Sequence, residues 1–219
     1  MKVYFISGLG ADSRVFNNIS LPPGYEPVFL EWITPLKNES LREYALRLAE
    51  KINTNEPFSL IGLSMGGMIA TEIAKEFTPA VIILLSSVPS SNQLPKRYKI
   101  AQALRLHLLI PVRLIKSATI MKRIFSVESN DDKQVLRQVI KDTDPAFVRW
   151  AMGAILEWKN ETIPTSLFHI HGSRDEILPL KHTRATHTII GGRHMMVMSK
   201  AAEINILLQQ LLVTAEHPR

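Results

Sequence analysis

The chain has no cysteine. Disulfides, thiolate nucleophiles and Cys-based zinc sites are therefore excluded, although no one compartment is. It has no run near the roughly 20 apolar residues of a membrane span; the longest, AVIILL at 80–85, is six. It has no internal repeat, no low-complexity tract and no nucleic-acid reading motif, so a nucleic-acid partner is not expected. The opening MKVYFISG carries one lysine and a short apolar stretch. It reads as a first β-strand and not as a secretory leader, and a cytoplasmic protein is expected.

What is present is an ordinary globular composition. The 219 residues are 46% apolar and 21% charged, enough for one domain with a substantial core. The net charge of +6 is unevenly placed. Residues 89–160 hold 13 Lys and Arg against 6 Asp and Glu, and the remainder holds 13 against 14.

Apolar runs alternate with helical patterns. Strands are expected at 2–7, 27–32, 58–63, 80–86, 166–171 and 186–190. Several are continuously apolar, as in a parallel sheet covered on both faces. Helices are expected at 40–53, 65–77 and 200–213, the first opened by a capping box of Ser40 and Glu43. The alternation breaks at 92–160, which reads as about four helices bounded by Pro95, Pro111, Asp131 and Pro145. The expected architecture is α/β: a reduced, mostly parallel sheet of about six strands flanked by helices. Residues 1–88 and 161–219 form its core, and 89–160 form a helical cap inserted into that single domain.

One junction carries chemistry. FSLIGL, a buried strand pattern, meets MGGMIATEI, a helical one, with Ser64 at the joint and Gly62 and Gly66 two residues to either side. Gly-x-Ser-x-Gly at a strand-to-helix turn forces the serine above the sheet, and the following helix aims its free N–H groups at the same point. The bland alternative is a βα turn in which Ser64 caps the helix. A serine nucleophile needs a base and an orienting acid, and in such sheets catalytic groups lie beyond the carboxyl ends of the strands. HGSRDEILP after the strand at 166–171 offers Asp175. GGRHMMVM after the strand at 186–190 offers His194.

With FISGLGADSRVF, GLSMGG, HGSRDEILP and GGRHMMVMSKA in place, the chain resembles the α/β-hydrolase superfamily, as a small esterase-like member with a helical cap. The resemblance implies Ser64 as nucleophile, His194 as general base and Asp175 as the acid. It implies an oxyanion hole from the backbone N–H groups of Leu9 and Met65, with Gly8 and Gly10 letting the loop approach the substrate. Relatives carry histidine where this chain has Ser7, so that support shrinks to one smaller hydrogen bond and a looser hole. The implied activity is a serine esterase without a cofactor. Thioester hydrolysis, acyl transfer, C–C cleavage on the same triad and a non-catalytic binding role are the alternatives.

Rival assignments carry less. Glu176 adjoins Asp175 but is one residue off the family spacing. SSVPSSNQ, after the preceding strand, holds no carboxylate. His169 and His171 alternate along a strand and suit core or supporting roles; as a His-x-His metal pair they lack further ligands. His107 and His182 lack strand-end positions, and His187 is at the wrong end of its strand. GLGADS departs from a dinucleotide fingerprint at its last position, and Glu31 is only near the place an acidic residue would take. The cap is apolar and basic. Leu104, Leu108, Ile110, Leu114, Ile115 and Ile120 are candidates for an acyl pocket or for simple packing, and the charges suit a small anionic or amphiphilic acyl substrate. Contact with a membrane surface through the basic cap is the lesser reading.

Overall fold

A computed structural model describes residues 1–103 and 129–216. Among these, six strands form one sheet: β1 (Lys2–Ile6), β2 (Glu26–Leu30), β3 (Phe58–Leu63), β4 (Ile82–Leu85), β5 (Leu167–Gly172) and β6 (His187–Ile189). The order is β2-β1-β3-β4-β5-β6 and every pairing is parallel. Four of the strands are slightly shorter than their apolar runs. Val81, for instance, is buried just outside β4. Hydrophobicity marks burial, whereas strand ends are set by the ladder.

The helices are α1 (Leu41–Ala49), α2 (Met65–Ile73), α3 (Lys96–Ala103), α4 (Asn130–Asp142), α5 (Pro145–Glu157), α6 (Met196–Ser199) and α7 (Ala201–Glu216). Local chemistry starts several of them. Ser40 and Glu43 complete the capping box of α1. Ser129 accepts from Asp132 N–H at α4, and Asp144 accepts from Ala146 N–H with Pro145 opening α5. The two sheet faces bury separate cores. Ile6, Leu60, Ile82 and Leu84 pack with α1, α2 and α5 on one side. Phe5, Ile61, Ile83 and Leu85 pack with α4, α6 and α7 on the other.

Between β4 and β5 the described chain is helical, in α3, α4 and α5. Pro111 and the six apolar cap candidates from Leu104 to Ile120 lie outside the described residues, as does His107. Where this insertion leaves and rejoins the sheet, its ends are fastened together. Asn160 donates from Nδ2 to Pro89 O (2.8 Å), and its carbonyl accepts from Ser91 N–H (2.8 Å) and Ser90 Oγ (2.9 Å). Trp158 donates to the buried Glu72 of α2 at 2.7 Å, with Lys75 on the same carboxylate. The neck is thus a polar clasp and not a free linker. No helix among the described residues is long and apolar enough to cross a membrane.

Candidate active site

Ser64 joins β3 to α2 with φ 52° and ψ −116°, a backbone conformation that ordinary residues avoid. Three supports hold it there. Its N–H bonds Leu85 O at 2.9 Å, continuing the sheet ladder. Its carbonyl accepts from Ser87 Oγ at 2.6 Å. The turn also presses against β1: a Cβ at Gly66 would strike Ile6 O and Ser7 O, both backbone atoms. The Ser64 side chain makes no cap bond to its own helix, and so its hydroxyl is available to a partner across the sheet.

That partner is His194. Its Nε2 lies 3.0 Å from Ser64 Oγ, and its Nδ1 lies 2.8 Å from Asp175 Oδ2. A carboxylate can only accept, so Nδ1 carries the proton and Nε2 turns a lone pair to the serine hydroxyl. Asp175 sits on the loop after β5 and His194 on the loop after β6. The two loops meet because the end of β5 has no side chain: a Cβ at Gly172 would strike Gly192 O. Arg174 N–H bonds Gly192 O at 2.8 Å beside this contact.

Asp175 is buried. Its Oδ1 accepts from the N–H groups of Ile177 (2.8 Å) and Leu178 (2.9 Å). Burial alone would raise its pKa. The charge and hydrogen bond of His194, the Leu178 N–H and His171 outweigh that, leaving it below the usual carboxylate value.

The loop after β1 closes the site from the other side. A Cβ at Gly8 would sit 3.3 Å from Ser64 Cβ, so this loop runs directly past the serine. Gly10 takes φ 71°. Among the described residues, neither Leu9 N–H nor Met65 N–H has a hydrogen-bond partner. Ser7 donates from Oγ to Ala11 O at 3.0 Å, and Ala11 N–H bonds Gly8 O at 3.0 Å. A second donor reaches the same carbonyl: Trp32 Nε1, at 2.7 Å. Where relatives were expected to use one histidine, this loop has a serine and a tryptophan.

No family model matches the chain. An uncharacterised protein of Mycobacterium tuberculosis and one of Mycobacterium bovis are each 24% identical to it, over 89% of this chain and 67% of their own. Solved structures match more fully. A thermophilic esterase from Thermogutta terrifontis superposes with a TM-score of 0.75 at 16% identity, covering 98% of this chain and 90% of that one. MenH from S. aureus gives 0.74 at 16%, covering 99% and 95%. This chain has the α/β-hydrolase fold. An esterase from Exiguobacterium antarcticum gives 0.74 at 15%, covering 99% and 92%. At such identities the likeness is one of architecture, and chemistry has to be read from the site.

In this α/β-hydrolase fold the insertion touches the Asp175 loop, the β1 loop and the segment after β2. Arg97 of α3 donates to Glu176 O (2.7 Å) and Ile177 O (2.5 Å), gripping the Asp175 loop. Thr143, after α4, donates to Gly10 O at 3.2 Å. Phe147 of α5 packs on Trp32, ring centroids 4.9 Å apart. Sequence reasoning missed Trp32, Ser87, Arg97 and Thr143. The spacing of residues signals none of them, because their partners are distant in the chain. The other candidates stand apart from the serine. Glu176 is exposed and 3.5 Å from Arg193. His182 lies in a 3₁₀ turn and His187 opens β6. His169 and His171 are wholly buried and bonded to each other at 2.9 Å.

Proposed function

We propose that this protein is a serine hydrolase cleaving a small-molecule carboxylic ester. The observation that carries the reading is the unbroken line from Asp175 through His194 to Ser64, at 2.8 and 3.0 Å. Ser64 Oγ attacks the ester carbonyl while His194 Nε2 takes its proton. Asp175 stabilises the imidazolium that forms. The N–H groups of Leu9 and Met65, both without other partners among the described residues, donate to the tetrahedral oxyanion. His194 then protonates the departing alkoxide, leaving an acyl-enzyme. Water, deprotonated by His194, attacks that acyl group, and the acid leaves with Ser64 restored. Every step is a proton transfer or acyl transfer that these side chains and one water can complete.

The helical insertion at 89–160 is the cap over this centre. The contacts of Arg97 with the Asp175 loop, Thr143 with the β1 loop and Phe147 with Trp32 support that assignment. Its basic excess fits an anionic or amphiphilic acyl substrate.

The test uses Ser64→Ala and a panel of p-nitrophenyl esters of rising chain length. The expected outcome is turnover near background with an unchanged unfolding midpoint, and loss of labelling by a fluorophosphonate. Full turnover by the alanine variant rejects the nucleophile. A panel with no hydrolysed member, in a wild-type chain that labels at Ser64, moves the reading to another acyl bond.

A further inference from the structure

Beside Asp175 lies a buried imidazole that the Ser64–His194–Asp175 line does not use. His171 Nε2 is 3.4 Å from Asp175 Oδ2 and 2.7 Å from Leu178 O. A carbonyl carries no proton, so His171 must donate from Nε2. In a neutral ring its Nδ1 is then a bare lone pair. That Nδ1 is 2.9 Å from His169 Nε2, so His169 must donate there. One carbonyl thus fixes the tautomers of two rings. The chain ends at His169 Nδ1, which is buried and has no partner in good hydrogen-bond geometry among the described residues, although the backbone of Ser87 still acts on the ring.

Charge does not disturb this order. Burial first, then its neighbour His171, push the pKa of His169 down to about 3, against weaker opposing pulls from Ser87 and Asp175. Burial likewise pushes His171 down, with Asp175, Leu178 O and His194 as smaller influences.

Packing alone does not explain the pair. Both rings are 0% exposed, and His169 stands in register with apolar Leu84 on the neighbouring strand. A leucine there would fill space without leaving an unpaired buried lone pair, which costs stability. Departures from the local rule of this kind concentrate at functional sites.

We propose that His171 is a positioning residue for the acid, and that His169 locks it in the donating tautomer. The Nε2–H lies between Leu178 O and Asp175 Oδ2. It holds the buried carboxylate ionised and in place to receive His194 Nδ1–H. In the other tautomer, three lone pairs would face one another at this point, and the carboxylate would be driven off or take up a proton. His169 excludes that tautomer by occupying Nδ1. The inference rests on the catalytic reading of Ser64, His194 and Asp175 above.

The test is the pH profile of kcat/KM for p-nitrophenyl ester hydrolysis by the full chain. His171→Phe and His169→Leu remove the donors in turn. His171→Gln and His169→Gln keep a donor at the Nε2 position. Losing a donor makes the Asp175 carboxylate more basic, and it grips the imidazolium of His194 harder. The acid limb is therefore expected to move up by about one pH unit in His171→Phe, and by less in His169→Leu, where Leu178 O still favours the donating tautomer of His171, with kcat lowered and KM held. Both Gln variants return it toward wild type. The remaining ionisable groups around Asp175 stay in every variant: Tyr98 and Arg97 of α3, Glu176 beside it, and Arg193 and His194 opposite.

Unmoved limbs in the Phe and Leu variants, or Gln variants that behave like them, overturn the proposal. Long-range ¹H–¹⁵N spectra of the wild-type chain test it without any substitution. Nε2–H signals from both rings are expected, and an Nδ1–H tautomer at His171 overturns it. Ser64→Ala separates the two levels. If that variant is inactive and the limbs do not move, only this inference falls. If it retains turnover, the catalytic reading falls and takes the inference with it.

Discussion

The serine turn and the acid loop stand side by side above the sheet, and they are held by different means. At the serine turn most contacts are backbone on backbone, with Ser87 Oγ the side chain that joins them. Gly66 lies against Ile6 O and Ser7 O, and Ser64 N–H continues the ladder to Leu85 O. At the acid loop, side chains brought from afar do the holding. Arg97 reaches in from the insertion, His194 from beyond β6, and His171 and His169 from beneath. Steric exclusion tolerates no adjustment, whereas a hydrogen-bond network responds to protonation and to the loss of single partners. Ser64 is thus placed mainly by shape and Asp175 mainly by hydrogen bonding.

The largest expected effect breaks the steric side of this contrast. Gly66→Ala puts a methyl group into two carbonyl oxygens of β1 and its loop, neither of which can rotate away. A stability loss of about 3 kcal/mol is expected, read as a lower midpoint in urea with an unchanged slope. A neutral outcome would mean that the turn is looser than its contacts imply.

The second effect separates the two regions by pH. His169 and His171 are held neutral when folded but bind protons near pH 6.5 when unfolded. Between about pH 6.5 and 3 the unfolded chain therefore carries more protons, and folding stability falls as pH falls. For His169 alone the loss is about 1.6 kcal/mol from pH 6.5 to 5, the slope approaching about 1.4 kcal/mol per unit as the unfolded histidine becomes fully protonated. Urea unfolding across this range measures it, and His169→Leu should flatten the curve. The lowered carboxylate of Asp175 acts in the same direction only near and below its ordinary value of 3.8. A flat wild-type curve from pH 7 to 5 would contradict the buried neutral pair.

The smallest effect sharpens the comparison by adding the loop after β1. Ser7 and Trp32 both donate to Ala11 O. Ser7→Ala or Trp32→Phe leaves that oxygen one donor, and each should cost about 1 kcal/mol or less. The double variant leaves it none, so its cost should exceed the sum of the two. A double-mutant cycle read by urea unfolding measures the excess. Strict additivity would show that the two donors do not share a task.

Much of the architecture was legible because its determinants are local. Apolar runs, several of them continuous, marked all six strands to within two residues at each end, since a parallel sheet covered on both faces needs little polar alternation. Ser40 and Glu43 announced α1, because each of the two side chains bonds the backbone N–H of the other. The turn at Ser64 could be read because its glycines adjoin it. Asp175 and His194 could be nominated from their places after β5 and β6, but the distances between them could not. Trp32 carried no signal, because its bond to Ala11 O depends on how the chain after β2 folds over the β1 loop. Arg97 carried none either, since its acceptors at 176 and 177 lie on the far side of the insertion.

The sequence by itself determined the succession of strands and helices, the sharp joint at Ser64 and the chain order of Ser64, Asp175 and His194. Those depend on hydrophobic periodicity and on backbone freedom, which neighbours along the chain settle. Tertiary structure alone decided which nitrogen of each buried histidine carries its proton, and which donors brace each loop. A tautomer follows from the acceptor lying about 3 Å away, and packing between distant segments chooses that acceptor.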